Sequence, residues 1–118
     1  MLLSKDKILS AEDLPFEDVE VQEWGGTVRL RTMTGLERDA FEQSVIMFEG
    51  KTRKMNMVNI RAKLVAKTAV DESGNPLFAE GDIEKLGKKS AKALDKLFGI
   101  AQKLNGIGQD DIEALAKN

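Results

Sequence analysis

Two adjacent glycines, Gly25-Gly26, separate two segments in which apolar and polar residues alternate. Glycine readily adopts the positive φ angles of a tight turn, so the pattern predicts a β-hairpin over residues 19–32. A two-residue turn would pair Val21 with Leu30 and place the apolar residues of both strands on one face. Because an isolated hairpin is only marginally stable, this face must cover helices.

Apolar residues at helical spacing follow the hairpin. Thr34 and Glu37 have the spacing of a capping box, which predicts that a helix begins there. Gly87 and Asn105-Gly106 are typical of helix ends. Polar and turn-forming residues elsewhere predict loops. We therefore expect helices at about residues 36–48, 56–70, 82–87 and 90–105, with a last helical turn at 110–116 and polar loops at 49–54 and 71–76.

The chain has 118 residues, of which 42% are hydrophobic and 32% are charged. This composition is typical of a globular protein, and the length suits one domain with a modest core. We predict a single domain over residues 1–118. Its predicted fold class is mainly α, with four to five helices and one N-terminal β-hairpin.

Histidine and cysteine are both absent from the sequence. The chain therefore lacks the side chains that most often serve as proton shuttles near neutral pH or as ligands of soft metals. Some glycosidases work with carboxylates alone, but no pair of acidic residues stands out here. We predict a protein that is not an enzyme and has no catalytic, cofactor or metal site.

The charge and hydropathy of the chain limit the partners and the cellular compartment that we expect for it. A net charge of −2 argues against a protein that binds nucleic acid by neutralising its backbone. No apolar run approaches the roughly 20 residues of a membrane span, and the N-terminus becomes charged at Lys5 before a signal-like core can form. The lack of cysteine fits the cytoplasm. We expect a cytoplasmic protein that does not enter a membrane.

Several motifs resemble ligand sites but have simpler interpretations. The acidic stretch at 71–75 lacks the spacing of a calcium loop and fits a turn. Asp110-Asp111 fits the start of a helix, where carboxylates favour the positive end of the dipole. The glycines at 106–108 lack the strand that precedes a dinucleotide-binding loop. The lysines over 88–96 fit a solvated helix face.

Methionine and phenylalanine flank the polar segment at 49–54. Most of these side chains are expected in the core. Methionine also adapts to variable partners, so one or two of them would make exposed contacts. The tryptophan beside the glycine turn fits either the core or an exposed contact. The candidate partner-binding residues are Met47, Phe48, Met55, Met57 and Trp24.

The order of the motifs adds a family resemblance. Val-Gln-Glu-Trp-Gly-Gly-Thr-Val-Arg-Leu-Arg at 21–31 is followed by Thr-Gly-Leu-Glu-Arg-Asp-Ala-Phe-Glu at 34–42 and by Asp-Glu-Ser-Gly-Asn-Pro-Leu-Phe at 71–78. In order and spacing, these segments resemble tail assembly chaperones of long-tailed phages and prophages. The likeness spans nearly the whole chain.

The resemblance implies a small, mainly helical protein that acts without catalysis or cofactor in the host cell cytoplasm. It implies that the chain binds the tape measure protein, keeps it soluble while the tail tube polymerises around it, and is absent from the mature virion. It also implies a longer, frameshifted product that engages the tail tube protein. Self-association into a homo-oligomer stays open.

Two other classes of function stay open at this point. One is a small nucleic-acid-binding or regulatory helical protein that uses Arg53, Lys54, Arg61 and Lys67. Its binding would weaken steeply with salt. The other is a carboxylate-dependent hydrolase, which would need two acidic residues in one pocket.

Overall fold

The structure is a computed structural model that describes residues 1–114. Within that range the chain forms a three-stranded antiparallel sheet, a separate two-stranded sheet and six α-helices. The larger sheet has the order β1-β2-β5, with β1 at Phe16–Val21, β2 at Gly26–Arg31 and β5 at Ala69–Val70. The smaller sheet pairs β3 at Ile46–Glu49 with β4 at Thr52–Met55.

The first hairpin is present, but its predicted register is wrong. Val21 pairs with Gly26 rather than with Leu30, because residues 22–25 form the loop. In that loop Gln22–Trp24 form a 3₁₀ turn, and Gly25 has a φ of 71°. The strands have shifted by an even number of residues, so the side chains that remain in the two strands keep their expected faces. Val21 and Leu30 are both fully buried.

The predicted capping box is present at the start of helix α2, Gly35–Ser44. The Thr34 hydroxyl accepts a hydrogen bond from the Glu37 N–H at 3.1 Å, and Glu37 Oε1 accepts one from the Thr34 N–H at 2.9 Å. The helix ends at Ser44 rather than at residue 48. The β-branched pair that follows, Val45-Ile46, favours extended backbone and leads into β3.

The predicted polar loop at 49–54 is instead part of a second hairpin, formed by β3 and β4. Glu49 pairs with Thr52, which leaves a two-residue turn of Gly50 and Lys51. Gly50 has a φ of 64°, the positive angle that glycine supplies at the first position of such a turn.

The predicted helix at 56–70 is shorter in the structure, where α3 spans Ile60–Thr68. It begins late because Asn59 has a left-handed backbone with a φ of 58°, which a helix cannot include. It ends early because Ala69 and Val70 pair with β2 as β5. The buried Thr68 hydroxyl donates to the Leu64 carbonyl at 2.9 Å at this transition.

The remaining helices lie at both ends of the chain. Helix α1 spans Lys5–Ser10, and Ser4 caps it by accepting a hydrogen bond from the Lys7 N–H at 3.2 Å. A 3₁₀ turn precedes α4, Ile83–Leu86, and α5 follows at Ala91–Leu104. Helix α6 spans Gln109–Ala114. Residues 115 and 116 of the predicted last turn lie outside the described residues.

One hydrophobic core joins the larger sheet to helices α2, α3, α4, α5 and α6. Its largest fully buried side chains come from both strands of the first hairpin and from four of these helices. They are Phe41, Leu30, Leu64, Leu97, Ile112, Val21, Val45, Val65 and Thr68.

The predicted fold class is therefore wrong. The described residues form five strands in two sheets together with six helices, which is a mixed α and β fold rather than a mainly α fold with one hairpin. The missing strands are short. β3 and β5 replace the ends of predicted helices at residues 46–48 and 69–70, and β4 replaces part of the predicted loop at 49–54.

Candidate functional site

The second hairpin and the segment after it expose several apolar side chains. Phe48 is 67% exposed, Met57 50% and Met47 43%. Val58, next to Met57, is 74% exposed. Large apolar side chains that lie open to water in one region mark a contact surface for a partner. We call this region, with Arg53 from β4, the hairpin surface: Met47, Phe48, Arg53, Met57 and Val58.

The base of the second hairpin is fixed to the body of the protein. Ile46 pairs with Met55, and the Met55 side chain packs against the core. The Asn56 N–H donates to the Val45 carbonyl at 2.7 Å and extends the ladder by one bond. The exposed tip is therefore carried on a rigid base.

The two faces of the second hairpin differ in charge pairing. On one face Phe48 lies directly opposite Arg53. On the other face Met47 lies opposite Lys54, and Lys54 Nζ forms an ion pair with Glu49 Oε2 at 2.5 Å. Met47 thus lies beside a charge that is already neutralised, whereas Phe48 lies beside Arg53.

The charge of Arg53 has no acidic partner among the side chains that the structure describes, which are those of residues 1–114 except 109 and 113. Its Nε atom is the one buried side-chain polar atom of the described residues without a hydrogen-bond partner. A buried donor left unpaired costs about 1–3 kcal/mol, and more when it is charged. The hairpin surface therefore contains exposed apolar area and, beside it, an arginine side chain whose Nε is buried without a hydrogen-bond partner among the described residues.

Asn56 and Asn59 hold the segment that carries Met57 and Val58. Asn56 Oδ1 accepts a hydrogen bond from the Val58 N–H at 3.1 Å. Asn59 Nδ2 donates to the Ile83 carbonyl at 3.1 Å, which ties the segment to α4. Met57 and Val58 are therefore presented on an ordered turn.

The structure brings together four of the five predicted partner-binding residues. Met47, Phe48, Met55 and Met57 lie on or directly after the second hairpin, although Met55 is half-buried. Trp24 belongs to the loop of the first hairpin, where it is half-buried against the core.

Of the other residues of the hairpin surface, Val58 is not among the predicted contacts, and Arg53 is predicted only as a nucleic-acid contact. The glycine at position 50 between two short runs with β-branched and aromatic residues is the signal that could have revealed the hairpin. The lack of a partner for Arg53 appears only in the folded structure.

The basic residues of the nucleic-acid hypothesis are mostly paired with carboxylates. Lys54 pairs with Glu49, and Arg61 pairs with Asp95. Lys67 Nζ lies 2.8 Å from a Glu80 carboxylate oxygen. Only Arg53 of the four lacks an acidic partner among the described residues, so these side chains do not form a basic patch.

The acidic motifs serve as turns and caps. Asp71 Oδ1 accepts hydrogen bonds from the N–H groups of Ser73 and Asn75, both at 2.9 Å. Asp111 Oδ2 accepts one from the Gly108 N–H at 2.8 Å at the start of α6. In the part of the chain that the structure describes, no three His, Cys, Asp or Glu residues are grouped as metal ligands would be.

A second apolar region lies at the N-terminus. Leu3, Ile8 and Leu9 are all exposed, and α1 contributes no buried residue. Unlike the second hairpin, α1 has no side chain in the core. Across residues 1–114, no helix combines the length and the apolar character that crossing a membrane requires.

Comparison with known proteins gives an informative likeness among solved structures. No protein-family model matches the sequence, and no curated protein matches it. Among solved structures, that of the bacteriophage HK97 tail assembly chaperone is similar, with a TM-score of 0.60. The match covers 88% of this chain and 95% of that chain. The chain shares the fold of a phage tail assembly chaperone.

The structural likeness confirms the resemblance to tail assembly chaperones at the level of the fold. Sequence identity across the match is 19%, so the similarity is one of architecture. As the resemblance implied, it extends over nearly the whole chain. The protein of known structure is a tail assembly chaperone.

Proposed function

We propose that this chain is a phage tail assembly chaperone that binds the tape measure protein and keeps it soluble while the tail tube polymerises around it. The observation that carries the proposal is the fold, which matches the HK97 tail assembly chaperone over 88% of the chain. The order of motifs in the sequence supports the same conclusion. In this role the protein acts in the host cell cytoplasm and is absent from the mature virion.

The chemistry of the hairpin surface suits such a role. A long helical client exposes apolar faces that would otherwise associate with each other in water. Met47 and Met57 offer flexible, polarisable contacts that adapt to different helical faces, and Phe48 offers a larger anchor. Copies that bind along one client and also contact each other gain avidity even when each contact is weak.

The proposed contact residues differ in how they act. Met47, Phe48 and Met57 are exposed and would touch the client directly. Met55 and Trp24 are half-buried against the core, so they would mainly support the surface from beneath.

Further partners follow from the same role. A longer, frameshifted product would engage the tail tube protein, and copies of the chain on one client would lie next to each other as a homo-oligomer. Neither partnership requires a nucleotide, a metal ion or any other cofactor.

Co-expression tests the proposed function. A candidate tape measure protein is produced with the chain and, in parallel, with an unrelated small protein at the same level. We expect a larger soluble fraction of the tape measure protein with the chain, and a complex that survives chelation of metal ions and removal of nucleotides. An equal soluble fraction in both cultures would show that the proposal is wrong.

A further inference from the structure

Phe48 and Arg53 form a cross-strand pair on the hairpin surface, and this pair places an exposed aromatic ring beside an arginine that has no acidic partner among the described side chains. They are direct cross-strand neighbours, so their side chains project from the same face. Phe48 is two-thirds exposed, and Arg53 is half-buried. A partner that covers the ring therefore lies next to the Arg53 side chain.

The local charge favours an acidic partner. Residues 46–55 contain Lys51, Arg53 and Lys54 against one acid, Glu49, although the whole chain has a net charge of −2. Lys54 is paired with that acid, so the charges of Arg53 and Lys51 remain. A carboxylate is the group that arginine binds best, through two parallel N–H···O bonds.

The spacing of the pair fits a helix. The Cβ atoms of direct cross-strand neighbours lie about 4.5–5.5 Å apart. Residues three or four positions apart on a helix are separated by about 5–6 Å at their Cβ atoms. One helix can therefore place an apolar side chain on Phe48 and a side chain one turn away on Arg53.

We propose that the client segment bound here is an amphipathic helix with an acidic residue three or four positions from an apolar one, the apolar side chain covering Phe48 and the carboxylate pairing with Arg53. This inference rests on the proposed function and states the chemistry of the client. It makes the hairpin surface selective, because a helix with lysine at the acidic position would place two cations together.

Synthetic peptides test this preference. Two amphipathic helical peptides share one leucine face and differ only in carrying glutamate or lysine four positions after a leucine. We expect the glutamate peptide to bind the full chain about tenfold more tightly at low salt. Raising the salt concentration should shrink this difference, because exposed charges are screened. Fluorescence anisotropy gives both affinities.

Variants of Arg53 test whether this residue causes the preference for the glutamate peptide. Arg53→Gln should make the two affinities equal, and Arg53→Glu should reverse their order. Lys92→Glu is the matched control, since it changes the net charge equally at an exposed position in the first turn of α5. It should leave the preference unchanged. Arg53→Gln keeps the test valid if Arg53→Glu fails to fold.

Several results would overturn the inference: equal affinities for the two peptides, no binding of either, or a preference that persists in Arg53→Gln. Tighter Arg53-dependent binding of a single-stranded oligonucleotide than of the glutamate peptide would also overturn it, in favour of a nucleic-acid partner. If the co-expressed tape measure protein stays soluble in those cases, the proposed function stands and only the client chemistry is wrong.

Discussion

The side-chain oxygen of Asn105 accepts a hydrogen bond from the backbone N–H of Met33 at 2.6 Å. This bond joins the end of α5 to the residues that follow β2. The Asn105 amide nitrogen donates to the Ala101 carbonyl at 2.8 Å, and Arg38 donates to the Asn105 carbonyl at 3.0 Å. One residue thus connects the last long helix with the first hairpin and α2.

Asn105→Ala should lower the free energy of unfolding by about 1–3 kcal/mol, because it leaves the Met33 N–H unpaired in a half-buried position. Chemical denaturation measures the change. Asn75→Ala, at an exposed position in the turn before Pro76, is the control and should stay close to the parent. Equal midpoints for the two variants would mean that the Asn105 bond does not stabilise the fold.

Thr34→Ala should lower the free energy of unfolding by about 1 kcal/mol, because it removes the hydroxyl that caps α2. Ser4→Ala removes the corresponding cap of α1, a helix without a buried residue. Its effect on global unfolding should be far smaller, although both substitutions remove one hydroxyl. If Ser4→Ala cost as much as Thr34→Ala, α1 would have to be part of the cooperative unit.

Gly87→Ala should lower the free energy of unfolding by about 1 kcal/mol or more. The added Cβ would lie 2.2 Å from Asn59 Oδ1 and force that amide to leave its bond to the Ile83 carbonyl. In an Asn59→Gly background, where no amide is in the way, the penalty of Gly87→Ala should disappear. Glycine also suits the left-handed backbone at position 59.

The control for the Gly87→Ala and Asn59→Gly variants is Gly99→Ala. Gly99 lies within α5 with open space around the added Cβ, so alanine should stabilise the protein by up to about 1 kcal/mol. An unchanged Gly87→Ala penalty in the Asn59→Gly background would rule out Asn59 as its cause.

The ion pair between Asp18 and Arg29 should make the free energy of unfolding depend on pH in the acidic range. The hydrogen bond from Arg29, at 2.7 Å from Nε to the carboxylate, lowers the pKa of Asp18 below its usual value. A lowered pKa in the folded state adds stability above the unfolded pKa, near 3.9, and this stability is lost as the pH falls through the folded pKa.

Asp18→Asn should therefore lower the denaturation midpoint at neutral pH and have less effect under acidic conditions. Glu17→Gln is the control, because it also removes one carboxylate from the same strand. Since the pair is exposed, the effect should be small and should shrink with added salt. A loss of stability that is the same at neutral and at acidic pH would show that the charge of Asp18 is not responsible.

Local chemistry made part of this fold predictable. The Thr34–Glu37 capping box and the burial of Val21 and Leu30 follow from side-chain types at fixed spacing. The register of the first hairpin does not follow from side-chain types at fixed spacing. It depends on Trp24, which packs against the core and lengthens the loop. Contacts with distant residues decide such a choice.

Contacts with distant residues also explain why the sequence did not predict strands β3 and β5. Val45 to Phe48 continues the apolar spacing of α2, so helical periodicity alone extends that helix. Ala69 and Val70 become a strand only because β2 offers them a free edge. For the candidate site, residue type pointed to Met47 and Phe48, whereas the unpaired state of Arg53 depends on where every carboxylate lies in the fold.

The most direct test of whether the hairpin surface holds the client compares two double variants of the chain. The quantity measured is the soluble fraction of the co-expressed tape measure protein. Met47→Asp with Phe48→Asp places two charges on that surface. Leu36→Asp with Leu77→Asp places two charges on exposed apolar residues elsewhere. With both variants folded, we predict that the first pair loses the gain in solubility and the second keeps it. A gain that is equal in the two variants would contradict the account.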